Sequence, residues 1–170
     1  RSDLVAFLDA DDAWKPGFLE AVTRLGHRYP EAGFLATGYL RLLDTGIAKE
    51  ITLCASSGDE TRFVQNYFQI AVQGNFITSS SVAIRRRAFQ EVGNFAQGEP
   101  IRADNDLWAR TALRYPVAFD TRILAIYHSE AEGRSFERWR DNPPYPLVVR
   151  TLRRELNSRE FDPGTVDAIR

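Results

Sequence analysis

Two short acidic segments hold the residues best suited to chemistry. Asp9, Asp11 and Asp12 fall in one turn-length stretch, and Asp104 and Asp106 open a later one, Asp104-Asn105-Asp106-Leu107-Trp108. Carboxylates this close repel, so a divalent cation is their natural neutraliser. Mg²⁺ or Mn²⁺ prefers such hard oxygen ligands, and a diphosphate would complete the shell. A carboxylate held on a rigid helix could take a proton from an acceptor hydroxyl while the metal stabilises a leaving diphosphate. Each segment also has a reading without chemistry. Asp residues ahead of Pro16, or in the first turn of a helix, cap that helix and complement its macrodipole. A phosphatase-like Asp-x-Asp nucleophile motif is a further alternative for the first segment, and Ala13 at its fifth position argues against it.

The apolar pattern shows which elements must position these groups. Leu4 to Leu8 is a continuous apolar run, which predicts a strand buried on both faces, as in a parallel sheet. The acidic turn follows at its carboxyl end, where open α/β sheets bind ligands. Lys15-Pro16-Gly17 then opens a helix with Phe18, Leu19, Val22 and Leu25 on one face. Gly33 to Leu43 and Ile47 to Leu53 read as a strand pair around Asp44-Thr45-Gly46. Ser56-Ser57-Gly58-Asp59 reads as a loop. Phe63, Tyr67, Ile70 and Ala71 recur at helical spacing up to the break at Gly74-Asn75, and Thr78 to Ile84 alternates like a strand. A short helix over Arg85 to Val92 ends at Gly93-Asn94-Phe95. The second acidic segment starts a helix over Asp104 to Arg114. Val117 to Phe119 and Ile123 to Tyr127 are two further strands, and a Pro-bearing stretch precedes an Arg-rich helical extension. The division is thus 1–140 for a catalytic α/β part and 141–170 for a helical extension. No internal repeat is present.

With 44% hydrophobic and 26% charged residues, the 170-residue chain has the make-up of a globular domain able to close one core without disulfides. Cys54 is the single cysteine, which excludes an internal disulfide and argues against structural zinc. A formal charge of −1 gives no global field for nucleic acid or an anionic membrane, so an anionic ligand must be held locally. No apolar run approaches the roughly 20 residues a membrane span needs. Cytoplasm is the expected location, with membrane association left to a longer protein. The absence of Met, even at position 1, suggests that a natural start lies upstream.

Taken in order, Phe-Leu-Asp-Ala-Asp-Asp-Ala-Trp (Phe7 to Trp14), the segment Ile77 to Phe95 and the segment Ala103 to Ala112 resemble the inverting glycosyltransferases of family 2. The three motifs span about two-thirds of the chain. The resemblance implies an α/β fold of the GT-A type, a mixed sheet flanked by helices. It also implies transfer of a sugar from a nucleotide-diphosphate donor, a UDP-sugar by expectation, to a saccharide or other hydroxyl acceptor, with Mg²⁺ or Mn²⁺. In that family the acids equivalent to Asp9 and Asp11 meet the donor through the metal, with Asp11 the direct ligand and Asp12 auxiliary. The later Asp, here Asp104, is the general base, with Asp106 as substitute. His128 falls where relatives place a metal or diphosphate contact, and Arg134 is a similar candidate for the diphosphate.

Two departures accompany the resemblance. The family's acidic pair reads Glu-Asp, and Ala103 stands in the first place here. That loss favours the rival reading of a non-catalytic carbohydrate- or partner-binding module. The family's N-terminal nucleotide-binding half is also missing, so the first strand should expose a sheet edge open to self-association. Ser79, Ser80 and Ser81 suit sugar contacts or a strand with mixed faces. Arg85, Arg86 and Arg87 suit a solvated face, and Trp108 a core position.

Overall fold

The structure is a computed structural model that describes residues 2–43, 45–53, 60–99, 101–129, 146–158 and 160–169. Cys54, the loop Ser56-Ser57-Gly58-Asp59 and Arg134 lie outside the described residues. The fold is mixed α/β, a mixed sheet with helices packed against it. Its strands are β1 (Leu4–Ala6), β2 (Ala13–Trp14), β3 (Phe34–Leu42), β4 (Ala48–Ile51), β5 (Thr61–Phe63), β6 (Val82–Arg85) and β7 (Val117–His128). They run β1-β6-β3-β7-β2, with β4 added to β3 and β5 to β7. The β3–β7 pair is parallel and the other pairs are antiparallel. The helices are α1 (Phe18–Arg28), α2 (Tyr67–Ala71), α3 (Arg86–Val92), α4 (Ala103–Ala112), α5 (Leu147–Ser158) and α6 (Pro163–Ile169), with a 3₁₀ turn at Ser79–Ser81.

The two-residue period of the central strands divides the core between the faces of the sheet. Leu35, Ala83 and Ala118 join α1 residues Phe18, Val22 and Leu25 on one face. Their strand neighbours Phe34, Val82, Ile84 and Phe119 join Leu107 and Trp108 of α4 on the other. Trp108 is 1% exposed and stacks on Phe34 with ring centroids 5.4 Å apart, so it is a core residue as its sequence setting suggests. On α1 the buried face is Phe18, Ala21, Val22 and Leu25, while Leu19 is 57% exposed, contrary to the sequence reading.

Several other expectations are corrected. The Leu4 to Leu8 run yields only the three-residue β1, half-buried along its length, antiparallel to β6 and terminal in the strand order; Leu8 is exposed. Phe63 belongs to β5, because its pairing with Ala118 of β7, beside that of Arg62 with Phe119, overrides the helical spacing of Phe63, Tyr67 and Ile70. The two strands expected around Val117 and Ile123 are one, β7, whose register against β3 slips between Thr37 and Gly38. At that bulge a Cβ on Gly38 would lie 2.9 Å from the Ile123 side chain and 3.0 Å from that of Thr52, so a larger residue there requires those side chains to shift. Ser79–Ser81 forms a 3₁₀ turn in place of the start of a strand. The Arg-rich α5 packs on α4: the Thr151 hydroxyl donates to Asp106, and Arg114 pairs with Glu155 at 3.4 Å.

Candidate active site at the acidic cleft

The acidic turn lies between β1 and β2. It closes through the Asp12 backbone N–H, which donates to the Asp9 carbonyl at 3.1 Å. The 3₁₀ turn holds it from the side. The Ser80 hydroxyl accepts from the Asp9 N–H at 3.0 Å and donates to Asp12 Oδ2 at 2.6 Å, and the Trp14 indole donates to the Ser80 carbonyl at 2.7 Å. Asp12 Oδ1 accepts from the His128 backbone N–H at 3.0 Å, which fastens the end of β7 to the same turn. Both oxygens of Asp12 are thus occupied within the protein. Asp9 and Asp11 are exposed and line a cleft of about 1230 Å³.

Asp104 lines that same cleft from the first turn of α4. The neighbouring serine reaches it: the Ser79 hydroxyl lies 3.3 Å from Asp104 Oδ2. Adjacent residues of one 3₁₀ turn therefore touch the two acidic segments, Ser80 at the first and Ser79 at the second. The turn is fixed at Thr78, whose N–H donates to the Ser81 hydroxyl at 2.9 Å and whose carbonyl accepts from the Ser81 N–H and from the Ser81 hydroxyl, each at 2.9 Å. Ser80 and Ser81 are fully buried, so the three serines are a joint between the acidic segments; Ser79 alone of them lines the cleft. Tyr67 lies close to Asp104: burial chiefly, and the Asp104 carboxylate in addition, push its phenol well above the usual tyrosine range, so it stays neutral.

Asp106 points elsewhere. It is 2% exposed, accepts from Arg110 at 2.8 Å and from the Thr151 hydroxyl, and ties α4 to itself and to α5. That role leaves Asp104 as the carboxylate of this segment that faces the cleft. His128 reaches the acidic turn through its backbone; its Nδ1 is buried with no hydrogen-bond partner among the described residues, and its side chain does not line the cleft. Among the described residues no group of three His, Cys, Asp or Glu side chains is gathered as a metal cage. Arg134 lies outside the described residues.

Arg86 and Arg87 are exposed, as the solvated-face reading expects, and Arg85 departs from it. Arg85 donates from Nε to the Ala32 carbonyl at 2.8 Å and from its terminal nitrogen to the Gly26 and Tyr29 carbonyls, capping the C-terminal end of α1. Arg86 and Arg87 donate to the Ser2 and Pro30 carbonyls at 2.8 and 3.0 Å. The far wall of the cleft was not singled out in the sequence. It is the β3–β4 ribbon, carrying Tyr39, Arg41, Lys49 and Ile51, with Tyr127 of β7 beside it. The signal was present in the alternation of Tyr39 and Arg41 ahead of the Asp44-Thr45-Gly46 turn.

No known protein-family model matches the chain, and no curated protein matches it either. No helix among the described residues is long and apolar enough to cross a membrane.

Proposed function

We propose that the chain carries the acceptor-side catalytic part of a metal-dependent, inverting glycosyltransferase of the GT-A type that uses a nucleotide-diphosphate sugar. One observation carries this reading. Asp9 and Asp11 from the acidic turn, and Asp104 from the N-terminal turn of α4, are distant in sequence yet line one cleft, coupled through adjacent serines. Simple capping requires no such convergence.

The donor set suits a hard divalent cation. Mg²⁺-type sites use one or two carboxylates and complete the shell with water and substrate phosphates, and two exposed Asp side chains suit that share. Asp11, with Asp9, would hold Mg²⁺ or Mn²⁺, and the bound ion supplies charge stabilisation for a departing nucleoside diphosphate. Asp104 accepts the proton of the acceptor hydroxyl. The hydroxyl oxygen bonds to the anomeric carbon as the bond from that carbon to the diphosphate oxygen breaks, and attack from the opposite face inverts the configuration. Ser79 holds the Asp104 carboxylate in place for that transfer. A cleft of about 1230 Å³ has room for a sugar nucleotide and part of an acceptor.

The test is release of nucleoside diphosphate from a panel of UDP-sugars with Mn²⁺ and mixed oligosaccharide acceptors, comparing the unaltered protein with Asp104→Asn. Loss of a general base lowers turnover on the order of 10²-fold or more. Unchanged turnover in the variant would remove Asp104 from the role of base.

A further inference from the structure

The β3–β4 wall of the cleft has a charge arrangement that the fold does not require. Arg41 of β3 and Lys49 of β4 sit directly opposite one another in the antiparallel register, and both line the cleft. Like charges directly opposed across a strand pair are destabilising. Neither has an ion-pair partner among the described residues, and Glu99, which also lines the cleft, is held by Arg150 at 2.5 Å. Lysine on an edge strand is a common guard against unwanted pairing, which would account for Lys49 alone. It does not account for Arg41, because β3 is interior at that point: Arg41 is in register with Lys49 on one side and with Tyr127 of β7 on the other. Lys49, Arg41 and Tyr127 therefore form a row across three strands, and all three line the cleft. Two opposed cations beside an aromatic ring suit an anionic group attached to a flat or ring-shaped body.

We infer that this row is a metal-independent subsite for an anionic group of the substrate, a phosphate or a carboxylate. It rests on the proposed transferase reading only for which substrate the group belongs to. Two sources share the chemistry: the donor's diphosphate, and an acceptor carrying uronic acid or phosphate. The carboxylates Asp9, Asp11 and Asp104 repel either source when no cation is bound; Arg102 also lines the cleft, so metal-free binding is assigned to Arg41 and Lys49 by its loss when those two are replaced.

The experiment is calorimetric titration of the protein in EDTA with inorganic pyrophosphate and, separately, with a galacturonate tetrasaccharide, using a neutral galactose tetrasaccharide as control. It is repeated with Arg41→Gln/Lys49→Gln. Binding of pyrophosphate alone assigns the subsite to the donor; binding of the galacturonate but not the neutral sugar assigns it to an acidic acceptor. In either case the double variant binds on the order of tenfold more weakly, or worse, for the loss of charge-assisted hydrogen bonds. Both positions are exposed and the substitution relieves a like-charge contact, so the variant's melting temperature stays equal or rises, which separates lost binding from lost folding. No binding of either anion, or equal affinity in the variant, overturns the subsite. Because no metal or transfer step is involved, that failure is distinct from failure of the transferase reading.

Discussion

The carboxylates at the two ends of β7 are treated in opposite ways. Near its start, Asp120 is fully buried and collects Arg122 at 2.8 Å and Arg24 at 3.0 Å, with Glu60 adding a second acid at the outer side of both guanidiniums. The group joins α1 to β7, and β5 packs beside it. Near its end, β7 passes the acidic turn, where Asp11 and, across the cleft, Asp104 have no ion-pair partner among the described residues. The first arrangement neutralises charge within the protein and contributes stability. The second leaves negative charge facing an opening, which contributes nothing to folding and attracts a cation.

The contrast is broken most severely at Asp120. Burial by itself would raise this carboxyl's pKa, but hydrogen bonds from the Arg122 side chain and backbone and from Arg24 outweigh it and hold the carboxyl below the ordinary range. Asp120→Ala should cost about 3 kcal/mol in urea unfolding, the low end for breaking a buried pair, because both arginines keep partial access to water. A group whose folded pKa is depressed contributes stability that is complete above its unfolded value, near pH 4, and is lost as pH falls through the folded value. Unfolding free energy should therefore drop below about pH 4, and that part of the drop should vanish in Asp120→Ala. An unaltered pH profile would place the acid-labile group elsewhere.

A smaller effect sharpens the comparison at the other end. Ser80→Ala removes the hydroxyl that accepts from the Asp9 N–H and donates to Asp12. It should cost about 1–2 kcal/mol, measured by the same unfolding, and should weaken Mn²⁺ binding because the turn is no longer held. Retained metal affinity with reduced stability would make Ser80 a folding residue alone.

What the sequence disclosed depended on whether the determining contacts were local. The acidic turn and the start of α4 were legible because acids follow an apolar run in the first case and precede Leu107 and Trp108 in the second. The hairpin of β3 and β4 was legible from Asp44-Thr45-Gly46. The three-residue β5 was not, since it exists only by pairing with β7 while its spacing imitates a helix. The polar interruption Asp120-Thr121-Arg122 suggested two strands; Asp120 is buried because Arg122 folds back onto it and distant Arg24 joins the pair, and neither contact shows in the apolar pattern. The serines were read as wall or strand; their function as a joint depends on Asp12 and Asp104, neither of them a sequence neighbour. Arg85 looked solvated because the carbonyls it binds lie in another segment, whereas Arg86 and Arg87 are exposed as read.

The central claim is that the acidic turn holds a cation and a diphosphate together. It is tested most directly by melting the protein with Mn²⁺, with UDP, and with both, beside Asp11→Ala. Asp11 is exposed, so the variant alone should melt within about 0.5 kcal/mol of the unaltered protein. At about 100 times the dissociation constant a ligand that binds only the folded state adds roughly 2.7 kcal/mol, which for a chain of this size is a rise of about 5–10 °C. The expected result is a rise with Mn²⁺ and UDP together that exceeds the sum of the two alone and is absent in Asp11→Ala. A joint rise that persists in Asp11→Ala would contradict the claim by placing the metal and diphosphate away from the acidic turn.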